Sequence, residues 1–130
     1  MGCKADMTVR RTTAAGSIGV LLMLLFAPTS FGDTRRFRAV GCTEDPHWEP
    51  GKRRIHKGDR IVWKNPTSCN HTVTAYSGRW NKNTTLGPGD STRKRFRRTG
   101  LYKFRCMTVG HSALQDGVCN GMCGRVRVRR

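Results

Sequence analysis

Near the C-terminus the stretch "FRCMTVGHSALQDGVCNGMCGRVRV" (104–128) holds Cys106, His111, Cys119, Met122 and Cys123. Thiol, thioether and imidazole groups at this density restrict the segment to a disulfide knot, a zinc site, or a site for another metal. Two questions separate these: which cysteine stands apart from the others, and why a methionine sits among them.

The number of available cysteines depends on where the chain works. Residues 1–32 carry Arg10 and Arg11, then the apolar run "AAGSIGVLLMLLFA", then Pro28 and the small residues Ser30 and Gly32. This is the layout of a secretory signal, with cleavage expected after Gly32. An uncleaved N-terminal anchor is the alternative, although the run is short for a membrane span. The remaining 33–130 is then a single small domain in an oxidising compartment. Cys3 leaves with the signal, and the five cysteines that stay are an odd number, so one has a task other than a bridge. Three of the 25 Lys and Arg and one of the 8 acidic residues fall within 1–32. The mature part therefore keeps 22 cations against 7 anions, a net charge of +15. Such a surface favours anionic partners such as acidic proteins or an anionic cell envelope.

Short β-prone segments separated by turns run along the mature chain. Strands are expected at "TRRFRAV" (34–40), on either side of Gly58-Asp59, at "HTVTAY" (71–76), on either side of Thr99-Gly100, and at "GRVRVRR" (124–130). The segments 41–52 and 77–92 read as connections. Tyr102, Phe104 and Cys106 alternate with Lys103 and Arg105, which puts Cys106 at the end of an inward-facing row. No segment shows a sustained helical period. The pattern predicts an antiparallel β-sandwich or barrel.

Zinc fits this set poorly, because exported cysteines four residues apart oxidise readily and methionine is a weak zinc ligand. Copper fits it better. A thiolate and two imidazoles with a weak axial thioether suit an ion that cycles between Cu(I) and Cu(II). Cys106, His111 and Met122 occur in the required order, and His71, opening a strand candidate, can supply the remote imidazole. His47 and His56 read as surface or structural residues, Trp48 and Trp63 as core aromatics, and Met107 as pointing away from the metal. Asn70-His71-Thr72 and Asn83-Thr84-Thr85 match glycosylation sequons, but no modification is assigned to them.

The blocks "WEP" (48–50), "IHKGDRIVWKN" (55–65), "HTV" (71–73), "LGPGDS" (86–91), "GLYKFRC" (100–106) and "GMCGRVRV" (121–128) resemble the plastocyanin/azurin group of blue-copper cupredoxins. The resemblance spans most of 34–129. It implies an all-β, cupredoxin-like Greek-key β-sandwich with one type 1 copper held by His71, Cys106, His111 and Met122. It also implies that the loop at Cys42 lies near the turn before His71, pairing Cys42 with Cys69 and leaving Cys119 with Cys123. Two features depart from the family. Ten residues separate His111 from Met122, longer than is usual, which leaves a carbonyl or another side chain as an alternative axial ligand. Thr72 stands where Asn is common, so its hydroxyl or a backbone amide is expected to steady the thiolate.

The function so implied is a secreted carrier of single electrons, with His111 as the exposed ligand edge, and the strongly positive surface predicts an acidic redox protein as partner. Copper capture, storage or delivery outside the cell is the alternative, and a cationic, disulfide-bonded binding module is the reading without a metal. A nucleic-acid partner is not expected, because the basic runs lack interleaved aromatics. A monomer is expected. An enzyme is not, since four filled ligand positions leave none for substrate.

Overall fold

The computed structural model describes residues 31–77 and 79–130, so the expected leader, apart from Phe31 and Gly32, lies outside the described residues. Eleven strands form: β1 (Thr34–Val40), β2 (His47–Glu49), β3 (Lys52–His56), β4 (Arg60–Lys64), β5 (His71–Ala75), β6 (Asn83–Leu86), β7 (Ser91–Arg95), β8 (Gly100–Arg105), β9 (Ser112–Gln115), β10 (Val118–Gly121) and β11 (Cys123–Arg129). They build a four-stranded sheet, β2-β1-β4-β7, a five-stranded sheet, β3-β11-β8-β5-β6, and the separate hairpin β9–β10. The all-β sandwich expected from the sequence is thus present.

Alternation explains which faces meet. Ile61 and Trp63 in β4, Tyr102 and Phe104 in β8, and Val126 and Val128 in β11 are buried, while their neighbours face outward. Phe104 lies at the centre of the core. From the five-stranded sheet its ring packs against Phe37, Trp63 and Trp48 of the other sheet, with centroids 5.0, 5.4 and 5.9 Å away. Beneath it, Gly124 pairs with Phe104 across β8 and β11. A Cβ at Gly124 would lie 2.3 Å from Phe104 Cζ, so the position accepts no side chain without moving the central ring.

The structure corrects the expected pattern and adds to it. The pairing is not wholly antiparallel, because β1 runs parallel to β4 and β3 runs parallel to β11. The segments expected as connections contain β2 and β6, short edge strands whose pairing is set by β1 and β5 rather than by their own composition. The strands expected on either side of Thr99-Gly100 fall in different sheets, β7 beside β4 in one and β8 between β11 and β5 in the other. Trp80, within the segment 77–92 read as a connection, closes one end of the core by stacking on Trp63 at 6.1 Å and meeting Phe96 and Tyr102.

Gly124→Ala should destabilise the protein by about 1–3 kcal/mol through overpacking against Phe104. Chemical denaturation of the two proteins measures this, and an unchanged midpoint would show that the Phe104 ring has room to move.

Candidate metal centre

Strand β8 delivers Cys106, and the strand's inward alternation buries its sulfur completely. It is the free cysteine among the described residues, the other four being paired as Cys42–Cys69 and Cys119–Cys123. Both bridges agree with the pairing that the resemblance implies. His71, the first residue of β5, places Nδ1 3.8 Å from Cys106 Sγ, and His111 places Nδ1 3.4 Å from it. Ligand atoms of His71, Cys106 and His111 lie within 4.8 Å of one another. His71 and Cys106 are wholly buried, whereas His111 keeps 8% of its surface exposed. Burial, with the nearby His111 adding to it, holds His71 below the usual imidazole range and favours the neutral ring that can bind a metal.

Met122, the fourth expected ligand, is fully buried and is tied to Cys106 and His111 by its main chain. Cys106 N–H donates to the Met122 carbonyl at 3.0 Å, and Met122 N–H donates to the His111 carbonyl at 2.7 Å. The long segment between His111 and Met122 is therefore not slack. It folds into the β9–β10 hairpin, whose base is closed by Ser112 opposite Gly121 and braced by the Cys119–Cys123 bridge. Gly121 has φ +90°, and a Cβ there would sit 2.3 Å from the His111 carbonyl oxygen. Only glycine lets the hairpin return close enough for Met122 to reach His111.

No family model matches the chain, and no curated protein sequence does. Solved structures do resemble it. A purple cupredoxin from Nitrosopumilus maritimus superposes with a TM-score of 0.57 at 18% identity, over 72% of this chain and 98% of that one. Amicyanin, as a methionine-to-glutamine mutant in the Cu(I) form, gives a TM-score of 0.57 at 16% identity, over 74% of this chain and 82% of its own. The fold is that of the cupredoxins. A copper-containing nitrite reductase from Thermus scotoductus SA-01 also matches, with a TM-score of 0.56 at 18% identity, but over only 22% of its length.

Within this cupredoxin fold the donor set of thiolate, two imidazoles and a neighbouring buried thioether is of the kind that suits copper. The groups around it are fixed in turn. Thr72 N–H donates to Cys106 Sγ at 3.3 Å, while the Thr72 hydroxyl accepts the Met107 amide at 2.7 Å. Of the two possibilities that the sequence leaves open, the backbone amide is the one that reaches the sulfur; the hydroxyl instead holds the loop that follows it. Met107 itself is exposed, as expected.

On the far side of His71, Nε2 lies 3.0 Å from Thr67 Oγ1, and the Thr67 hydroxyl donates to Asn65 Oδ1 at 2.7 Å. Asn65 is buried, and its Nδ2 donates to the carbonyls of Cys69, Leu86 and Gly87. This relay orients the His71 ring and anchors its loop to the end of β6. Sequence reasoning missed both residues. The only local signal was a short polar side chain in the Asn65-Pro66-Thr67 turn, which is common in turns of any kind.

Thr67→Val should leave the fold intact yet weaken metal affinity by about 10–100-fold, since the ring loses its orienting partner. Competition with a chromophoric chelator measures it, and unchanged affinity would mean that packing alone orients His71.

Proposed function

We propose that this protein is an exported carrier of single electrons, holding one type 1 copper through His71, Cys106, His111 and Met122. The observation that carries this reading is the buried, unbridged Cys106 sulfur, within 4 Å of one nitrogen from each of two imidazoles. Copper, when bound, supplies the exchange between Cu(I) and Cu(II). The chain supplies rigidity. Main-chain bonds among Cys106, Met122 and His111, and the Asn65–Thr67–His71 relay, resist rearrangement when the charge changes. His111 is the partly exposed edge of an otherwise buried set, so it offers the shortest route for an electron to leave.

The surface supports a protein partner. The loop before His111 exposes Met107 and Val109, and the hairpin after it exposes Leu114 and Val118. These apolar side chains can exclude water at a transient contact. Elsewhere the molecule is strongly cationic. On the five-stranded sheet, Arg125 stands between Lys52 and Lys103, and Arg127 stands opposite Arg54. Like charges directly opposite across strands are unfavourable. The ion pairs among the described residues lie elsewhere, at Arg35–Asp33, Arg38–Glu49 and His47–Asp45. This face supports an acidic partner, steered by charge and sensitive to salt. Residues 1–32 would direct export, and the bridges suit the oxidising compartment that export implies.

One equivalent of Cu(II) should give the purified protein an intense visible thiolate-to-copper band. Cys106→Ser should abolish the band, and Met122→Leu should only shift it. A colourless protein that binds Cu(I) alone would contradict electron transfer and favour copper handling. Association with an acidic redox protein should also weaken as salt rises from low to physiological strength; a salt-independent rate would contradict charge steering.

A further inference from the structure

The His71 ring belongs to two clusters. Its Nδ1 faces Cys106, while its Nε2 lies 3.3 Å from Cys69 Sγ, on the opposite side. Cys69 is bridged to Cys42, and the donor atoms of Cys42, Cys69 and His71 all fall within 4.8 Å of one another. While the bridge is intact its sulfurs are neutral and poor ligands. The bridge is nonetheless accessible: Cys42 and Cys69 are half-buried, under loops whose Thr43, Glu44, Asp45, Ser68 and Asn70 are exposed.

We propose that reduction of the Cys42–Cys69 bridge turns this cluster into a second metal site, selective for Cu(I). The reductant is a dithiol. One of its sulfurs attacks the bridge, the Cys42–Cys69 bond breaks, and the dithiol closes to its own disulfide. Two electrons thus pass to the pair, and the dithiol's two protons end on the released Cys42 and Cys69 sulfurs. Binding of Cu(I) then displaces those two protons.

Three soft or borderline donors, two thiolates and one imidazole, suit Cu(I). A structural zinc site asks for a fourth protein ligand, and the cluster offers three among the described residues. The Thr67 hydroxyl, 3.0 Å from Nε2 and 3.4 Å from Cys69 Sγ, already lies against both donor atoms and can turn to support either state. A neutral imidazole has one free lone pair, so filling this site draws His71 away from Cys106. The thiol state of the surroundings would in this way govern where the protein keeps its copper.

The test uses the full chain carrying Cys106→Ser, so that failure of the electron-carrier reading leaves the result unaffected. The protein is reduced with a phosphine, desalted anaerobically and titrated with Cu(I) against bicinchoninate. Reduction should add one tightly bound Cu(I) per chain. That added equivalent should be lost with Cys42→Ser or Cys69→Ser and kept with Cys119→Ser plus Cys123→Ser. No gain on reduction, or a gain that survives Cys42→Ser, would overturn the proposal, as would retention of Zn(II) in preference to Cu(I). Should the substitutions unfold the chain, alkylation of the reduced natural sequence gives a second reading. Cu(I) should protect Cys42 and Cys69 from iodoacetamide in a peptide map, and undiminished labelling of both would overturn the site.

Discussion

Two main-chain hydrogen bonds hold the site together, from Cys106 N–H to the Met122 carbonyl and from Met122 N–H to the His111 carbonyl. They join the end of β8, the hairpin and the start of β11 into one closed loop of backbone. Everything around them serves to keep that loop closed. Pairing of β8 with β11 continues up to Arg105 and Cys123, so the sheet itself brings the two ends of the segment together. Gly121 permits the close return, the Ser112 hydroxyl donates to the Cys106 carbonyl, and the Cys119–Cys123 bridge braces the base of the hairpin. The remote imidazole, His71, is set independently by β5 and by the Asn65–Thr67 relay. Two separately positioned halves meet at the Cys106 sulfur, where Thr72 N–H from one half reaches the thiolate of the other.

Much of this was legible in the sequence where side chains alternate. The row Tyr102, Phe104, Cys106 predicts an inward thiol because a strand has a period of two, and all three are buried, Cys106 directly after the end of β8. The same rule finds β11 from its alternating valines and arginines. A candidate ligand set could be proposed because Cys106, His111 and Met122 lie on one loop between two readable strands. It was less legible where tertiary pairing decides structure. Nothing in "HWE" or "NTTL" marks β2 or β6 as strands; each forms because a neighbour offers an open edge. Parallel pairing of β1 with β4 depends on contacts across intervening chain, which no local pattern carries. The hairpin within 112–121 was missed for another reason. Its turn at Asp116-Gly117 is a recognisable signal, with Asp116 at φ 51° and Gly117 at φ 76°. The segment looks like a loop because it has no buried face to give it alternation.

Charge is distributed separately from the core. The inner faces carry the aromatic cluster around Phe104, and the outer face of the five-stranded sheet carries unopposed cations in adjacent strands. Lys52, Arg53, Arg54, Arg125 and Arg127 line one open depression there, together with Leu101 and with Arg35 of β1, which is paired with Asp33. Stability rests on the buried aromatics, which leaves the cations free to act on whatever approaches.

The most direct test of the central claim is copper X-ray absorption on the loaded protein in both oxidation states. The account predicts one short copper–sulfur distance and two nitrogen ligands in each state, with little change on reduction, and loss of the short sulfur in Cys106→Ser. A first shell without sulfur, or one that rearranges when the metal is reduced, would contradict a rigid centre built on Cys106.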